Sequence, residues 1–216
     1  RHGGGSRSRS PHRPRLTALA LALACSLAPP LLANPLGAQV IHGSAHFSQS
    51  SSVLTIHNSA NAILNWQQFS IQPGETTRFI QPDATSAVLN RVIGPDPSHI
   101  LGTLSSNGRV FLVNPAGILV GEGARIDVAG LVASTLPMTD ADFLAGRLKF
   151  GDGLLGGNLV QRGRITTPEG GRVLLVGGNV RNEGRIHTPG GETLLAAGET
   201  VEVLDLSLIH ISEPTR

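Results

Sequence analysis

The chain has 216 residues and a formal net charge of +2, but its basic residues are concentrated at one end. Five arginines fall within residues 1–15, whereas residues 39–205 carry ten Arg and one Lys against seven Asp and seven Glu, a net charge of −3. This acidic balance disfavours a nucleic-acid-binding protein, and we expect no nucleic-acid partner. The single cysteine, Cys25, excludes a disulfide framework within the chain.

Residues 1–38 have the pattern of a secretory signal peptide. The arginine-rich start is followed by an apolar stretch, Leu16 to Ala28, and then by small residues before Gln39. The apolar stretch is too short to span a membrane, and this order of regions is typical of a leader handled by the Sec machinery. We expect cleavage after Ala38, with Ala33 as the alternative site.

Residues 39–205 have the pattern of one domain built from short strands. Apolar runs such as SVLTIH, TRFIQ, RVFLV and RIDVAGLVA alternate with turns rich in Gly, Asn, Pro and Ser, and helical periodicity is nearly absent. The one helical candidate is Thr139 to Leu148, where Thr139 is placed to cap the helix and Asp140 and Asp142 lie in the first turn. The sequence therefore predicts an all-β fold with one short helical excursion.

An internal repeat follows this candidate helix. The segment NLVQRGRITTP at Asn158 returns as NVRNEGRIHTP at Asn179, and the distance between these two asparagines is the period of the repeat. GRVFLV at Gly108 and GRVLLV at Gly171 are separated by three such periods. A unit of this length holds three short strands that bury little alone but form a core when stacked. The pattern predicts a right-handed parallel β-helix of about eight coils, spaced about 4.8 Å apart.

The strand pattern also assigns the ends and the interior of this rod. Residues 39–102, with Trp66 and Phe69, are less regular and are expected to form an N-terminal capping sheet and the first coils. Residues 103–205 are expected to form the regular coils. The positions predicted to point inward are Val110, Leu112, Ile118, Ile126, Val128, Leu131, Ile165, Val173, Leu175, Ile186, Leu194 and Val201.

The last segment, residues 206–216, abandons the glycine-punctuated pattern. Its sequence, LSLIHISEPTR, resembles the translation of a sequencing adaptor read through into the open frame, and we expect it to be an artefact outside the fold. The alternative is a genuine last strand and tail. Under the artefact hypothesis, the natural protein continues beyond Asp205.

A sharp corner is predicted between two apolar runs, at the segment from Asn114 to Ile118, which we name the Asn114 corner. Proline has no amide hydrogen, so Pro115 excludes a continuous central strand. The Asn114 side chain can accept a hydrogen bond from the backbone two residues on, and Gly117 can adopt a conformation closed to other residues. The corner is therefore expected to close locally and to guide the next coil.

No catalytic, cofactor or metal site is expected. Gly151 to Gly156 formally matches GxGxxG, but no βαβ unit surrounds it and a flexible turn is the better interpretation. His42 and His46 are expected on one face of a strand, without a Cys or carboxylate to complete a metal site. Polysaccharide lyases and hydrolases also use parallel β-helices, but they need clustered carboxylates and the acidic residues here are scattered. Because the fold is shared with such enzymes, a carbohydrate-active enzyme is kept as the alternative function.

The segments ILNWQQFSIQPGETTRFIQP, AVLNRVIG, ILGTLSSNGRVFLVNPAGILVG and TDADFLAGR resemble, in this order, a known domain. It is the N-terminal haemagglutination-activity domain of filamentous-haemagglutinin-type exoproteins, the passengers of two-partner secretion. The signature Asn-Pro-Asn-Gly-Ile of that family corresponds to Asn114, Pro115, Ala116, Gly117 and Ile118, so Ala116 departs from the signature. A second family signature, Asn-Pro-Asn-Leu, is absent from this chain.

The resemblance implies a non-enzymatic secretion signal at the start of a large exoprotein, such as an adhesin or a haemagglutinin. It implies recognition by a dedicated outer-membrane β-barrel transporter with periplasmic POTRA domains, and β-helix folding that is nucleated outside the cell. The protein is then expected to be secreted, or displayed at the surface of a Gram-negative bacterium, by way of the periplasm. Host glycans or cell surfaces are expected as partners of downstream regions. A haemolysin and a contact-dependent toxin stay open as alternatives to the adhesin.

Overall fold

The structure, a computed structural model, describes residues 34–152 and 156–204, and the backbone alone at 205 and 208–212. The predicted leader therefore lies outside the described residues up to position 33. Positions 153–155, 206–207 and 213–216 also lie outside them. No helix in the described ranges is long and apolar enough to cross a membrane.

The described chain consists mainly of short strands, joined by turns at Gly, Asn and Pro, together with one helix. The first ten strands are β1 Gln39–His42, β2 Ala45–Ser50, β3 Val53–Asn58, β4 Ala62–Trp66, β5 Thr76–Ile80, β6 Ala87–Val92, β7 Ser98–Ile100, β8 Thr103–Val113, β9 Ile118–Val120 and β10 Arg125–Ser134. The helix α1 is Asp140–Leu144, and the later strands are β11 Leu148–Phe150, β12 Asn158–Gln161, β13 Arg164–Thr166, β14 Arg172–Gly177, β15 Asn179–Asn182, β16 Arg185–His187, β17 Glu192–Ala197, β18 Thr200–Asp205 and β19 Leu208–Ser212.

Parallel pairing between successive coils arranges these strands in three faces. The first face stacks β3, β5, the first halves of β8 and β10, β13 and β16. The second face stacks β4, β6, the second halves of β8 and β10, β14 and β17. The third face stacks β7, β9, β12 and β15. The predicted right-handed parallel β-helix is confirmed, with about 6 turns, fewer than expected.

A segment that leaves the coil accounts for one of the missing turns. Val110, Leu131 and Val173 are stacked in register on the second face, although the step from Leu131 to Val173 is twice as long in sequence as the step before it. The additional residues include α1 and β11, and the chain then rejoins the third face at β12. Because this excursion adds one full period, the offset of three periods between the two GRV segments spans only two coils.

The helix α1 begins where the sequence predicts and ends earlier. Thr139 is the N-cap, and its Oγ1 accepts a hydrogen bond from the backbone N of Asp142 at 3.1 Å. Asp140 and Asp142 lie in the first turn, where the helix dipole stabilises negatively charged side chains. The chain reverses at Gly146, which has a left-handed φ of 69°, so only the first part of the predicted segment is helical.

The N-terminal cap consists of two antiparallel strands. β1 pairs with β4 and β2 pairs with β3, so each extends one face of the coil in the opposite direction. Trp66 and Phe69 are buried beneath this end, and the Trp66 ring meets Phe47 and Phe69 edge-on, with centroids 5.9 and 5.5 Å apart. The predicted capping sheet is confirmed, and it is limited to β1 and β2 because parallel coil pairing already begins at β3.

The interior of the coil is a continuous apolar core. Nine of the residues predicted to point inward are buried in it, and Ile186 packs against it from the last coil. The nine are Val110, Leu112, Ile118, Ile126, Val128, Leu131, Ile165, Val173 and Leu175.

The inward predictions for Leu194 and Val201 are wrong. The repeat would place Leu195 beside Leu174, but Leu194 pairs there instead, because the turn before β17 is one residue shorter than in the preceding coil. A slip of one residue moves a side chain to the opposite face of a strand, and Leu194 therefore packs against a second core outside the coil. Val201 is buried in the same second core, on β18, which pairs antiparallel with β11.

The second core joins the outer side of the second face to the excursion. Phe111 and Leu174 are buried here from the coil and Phe143 from α1, and the rings of Phe111 and Phe143 meet edge-on at 5.1 Å. Arg91, on β6, donates a hydrogen bond to Asp140 Oδ1 at 2.6 Å. The excursion is therefore held to the coil by apolar packing and by an ion pair.

The residues just before β1 also contact the domain. Asn34 is buried, and its Oδ1 accepts a hydrogen bond from Thr77 Oγ1 at 3.1 Å while its Nδ2 donates to Ser52 O at 3.3 Å. Cleavage after Ala38 would remove these contacts, whereas cleavage after Ala33 would keep them.

We predict that Leu175→Asp abolishes cooperative refolding. Leu175 is 1% exposed, and Leu195, its partner on the next coil, is 41% exposed. Burial of a carboxylate in an apolar core costs on the order of several kcal/mol, whereas Leu195→Asp should lower the free energy of unfolding by about 1 kcal/mol. Urea titration followed by far-UV circular dichroism compares the two variants. Equal tolerance of both changes would contradict the assigned inner face.

We also predict that a chain starting at Asn34 is more stable than one starting at Gln39, by about 2 kcal/mol, because removal of Asn34 leaves the buried Thr77 hydroxyl without its partner. The comparison is made by urea unfolding of the two chains. Asn34→Ala in the longer chain should remove most of the difference. Identical unfolding midpoints would mean that the segment adds no stability.

Candidate functional site

The Asn114 corner joins the second face of the coil to the third. It follows β8 and leads into β9, as the sequence predicts. Gly117 N donates to Asn114 O at 3.1 Å, which closes a tight turn, and Gly117 has a φ of 133°, a value that side chains disfavour. Pro115 and Ala116 are exposed at the tip, whereas Asn114, Gly117 and Ile118 are buried.

The side chain of Asn114 is fully enclosed and uses both ends of its amide. Its Oδ1 accepts a hydrogen bond from Ala116 N at 3.0 Å, which confirms the predicted bond to the backbone two residues on. Its Nδ2 donates to Asp96 O at 3.0 Å and to Ser98 Oγ at 2.9 Å, both in the preceding coil. Only an amide supplies the donors and the acceptor together, so the geometry selects asparagine.

The backbone of the corner is bonded to the coils on both sides. Ser98 N, in the preceding coil, donates to Gly117 O at 2.9 Å, and Gly157 N, in the following coil, donates to Pro115 O at 2.9 Å. A Cβ at Gly157 would lie 2.6 Å from Ala116 O, and only glycine avoids this steric clash. The corner is therefore one level in a column of closely stacked turns.

Sequence reasoning located all five residues of the corner and missed the residues that complete it. Asp96 and Ser98 are visible in the sequence only as part of a turn-forming Asp-Pro-Ser run. Gly157 contacts the corner across the whole excursion, so no local pattern relates it to Pro115.

The histidines and the glycine-rich motif singled out in the sequence occupy strands and turns. His42 lies on β1 and His46 on β2, so the expectation that they share one strand face is wrong, because a turn at Gly43 separates them. Among the described residues, no group of three or more His, Cys, Asp and Glu side chains could hold a metal ion. Gly151, the first glycine of the GxGxxG match, has a φ of 101° and lies against the backbone of Glu199.

Asp83 and Asp142 each have a pKa held below the ordinary value by hydrogen bonds to the charged form. The hydroxyls of Thr85 and Ser86 lower the pKa of Asp83, and the hydroxyl of Thr139 lowers the pKa of Asp142. A general acid at neutral pH needs a pKa shifted in the opposite direction. These two carboxylates therefore serve as acceptors within turns.

An apolar groove of about 420 Å³ lies on the outer side of the second face. Phe111, Val132 and Leu174 line it, and Glu169 is the one acidic residue among the described residues that do so. Glycosidases of the common type flank the scissile bond with two carboxylates. The groove therefore lacks the pair of carboxylates that a glycosidase of this type requires.

The fold and the corner define a class of protein, a β-helix capped at its N-terminal end and closed at its corners by Asn, Pro and Gly. Residues 33–214 match the TPS secretion domain family. The chain belongs to this family, the secretion domain of two-partner secretion exoproteins, which is not an enzyme family.

Relatives of this chain include proteins from Haemophilus influenzae. The HMW1 secretion domain has a TM-score of 0.79 and 38% identity, over 84% of this chain and 50% of that chain. One heme/hemopexin-binding protein is 40% identical over 102 residues, which cover 47% of this chain and 11% of the relative. A second is 43% identical over 77 residues, 36% of this chain and 8% of the relative. The chain thus matches a small part of the length of these two curated relatives.

We predict that Asn114→Ala lowers the free energy of unfolding by about 2 to 4 kcal/mol, because Ser98 Oγ and Asp96 O lose their donor in a closed site. Pro115→Ala is the matched control at the exposed tip, and it should cost about 1 kcal/mol or less. Urea unfolding of both variants measures the difference. A loss for Asn114→Ala no larger than that of the control would show that the buried amide is not the central bond of the corner.

Proposed function

We propose that this domain is a secretion signal that a dedicated outer-membrane transporter reads before the chain folds. The supporting observation is the burial of the motif: Asn114 and Ile118 are enclosed in the folded coil, and only Pro115 and Ala116 remain at the surface. A receptor that recognises the buried side chains must therefore meet them in the unfolded chain.

The route begins with the Sec machinery, which recognises the leader of residues 1–38 and delivers the chain to the periplasm. The single cysteine of this sequence lies in that leader, so no disulfide within residues 39–205 can lock this domain before it reaches the transporter. An unfolded chain of short, turn-separated strands suits binding by strand addition, and the partner is the periplasmic POTRA region of the transporter.

Folding outside the cell completes the proposal. Within the described residues, the N-terminal end is closed by the cap, and no strand pairs beyond it. At the other end, each of the last-coil strands β15, β16 and β17 pairs on one edge only, and its other edge is free to pair with a further coil. Leu195 is 41% exposed at this open end. Each coil can therefore template the next, so folding proceeds in one direction and opposes backward movement of the chain through the transporter.

The proposed secretion signal also suggests a role for the complete protein. We propose a large exoprotein, secreted or held at the surface of a Gram-negative bacterium, with an adhesin or haemagglutinin activity in regions beyond this domain. Host glycans or cell surfaces are the partners proposed for those regions, and no cofactor is required for export by this route.

The decisive experiment measures transporter-dependent release and transporter binding separately. The chain from Asn34 onward, behind a complete Sec leader, is expressed with and without the transporter encoded beside the natural gene. Deletion of Asn114 to Ile118 should abolish release, and Ala116→Asn, which restores the family signature at an exposed position, should preserve it.

A binding assay distinguishes recognition from folding. Unfolded chains are diluted from urea onto the immobilised POTRA region. The unsubstituted chain and Leu175→Asp, a variant with a damaged core, should bind alike, whereas deletion of the Asn114 corner should lose binding. Release without the transporter, or equal binding loss in Leu175→Asp and the deletion, would overturn the proposal.

A further inference from the structure

Three arginines from successive coils stand in register on the first face. Arg125 on β10 pairs with Arg164 on β13, which pairs with Arg185 on β16. All three side chains are exposed. We name this column of three residues the arginine ladder.

The arginine ladder has no partner in the described part of the chain. The ion pairs found there involve other arginines; Arg162 and Arg181, for example, both contact Glu183. Like charges placed directly opposite on paired strands destabilise a sheet. The ladder therefore opposes folding, and stability does not explain its presence.

The surface beside the ladder is polar. On one side, the next outward column on the same three strands consists of Asp127, Thr166 and His187. On the other side, Glu122 lines the same groove as Arg125, and Glu183 is already paired with two arginines outside the ladder. The outward positions of these strand segments carry no Phe, Tyr or Trp ring. Single-stranded nucleic acids are held largely by stacking on such rings, and this surface does not favour them.

The spacing of the ladder indicates how far apart the charged groups of a ligand should be. Successive coils are about 4.8 Å apart, so the guanidinium groups recur at that interval along the helix axis. This interval is close to the length of one hexose unit in an extended polysaccharide. A linear glycan with an anionic group on each sugar can therefore present one anion to each arginine, and guanidinium groups bind sulfate and carboxylate oxygens in pairs.

We propose that the arginine ladder binds a linear anionic glycan that lies along the helix axis, with sulfate or uronate groups on successive sugars. The ladder exists only in the folded chain, because its three members are far apart in sequence and only the stacking of coils brings them together. In the proposed secretion route the chain folds outside the cell, so the ligand is extracellular. This inference goes beyond the proposed function, which concerns the unfolded chain.

The test uses the purified, folded chain after leader removal and heparin oligosaccharides as the probe. Arg164→Gln/Arg185→Gln should weaken binding about tenfold or more and reduce the slope of log affinity against log salt by about two. The matched control is Arg109→Gln/Arg172→Gln, which removes the same charge from exposed residues of the second face and should change affinity less than about twofold. Thermal melting should show no loss of stability in the ladder variant, because repulsion is relieved.

Other glycans identify the chemistry of the ligand. A polyuronate should also bind through the ladder, and neutral dextran should not. Equal affinity losses in the ladder variant and the control variant would show diffuse attraction to charge and overturn the proposal. Absence of heparin binding at physiological salt, or equal binding of dextran, would also overturn it. Because the assay uses folded protein without a transporter, its outcome is independent of the secretion experiment.

Discussion

The parallel backbone hydrogen bonds between coils are the interaction on which the rest of this structure depends. They require each coil to present the same backbone atoms as the coil before it, so every turn must return the chain to the same register. The turn before β17 shows how strict this condition is: loss of one residue places Leu194 above Leu174 and on the outer side of the strand. The stacking of coils also explains the glycine at position 157, because the corners approach each other too closely there for a side chain.

The Asn114 corner shows how one side chain closes a turn and joins it to the preceding coil. Its amide closes the local turn and also bonds to Asp96 and Ser98 in the preceding coil. The same bonds hide Asn114 once the coil has formed. In the proposed secretion route, a transporter that reads this residue acts on the unfolded chain, and folding then buries the residue.

The repeat that stacks apolar residues inside the coil also stacks charged residues outside it. Ile126, Ile165 and Ile186 follow one another inside the first face, and each is preceded by an arginine that points outward. A periodic surface is thus a by-product of a periodic core, and its spacing equals the distance between coils. Such a surface suits a ligand with a repeat of its own.

The sequence by itself determined the strand and turn pattern, the β-helix, the Asn114 turn and the Thr139 cap. The strand and turn pattern, the Asn114 turn and the Thr139 cap depend on contacts between residues close in the chain, where alternation, proline and glycine act directly. The β-helix is indicated by the period of the repeat. Only the tertiary structure decided that Val110 and Val173 are two coils apart, since an excursion of one period's length leaves the repeat offset intact. It also decided the outward position of Leu194 and the contact of Gly157 with the corner. These features depend on register between distant strands, which is set by turn lengths and by packing across coils rather than by any local pattern.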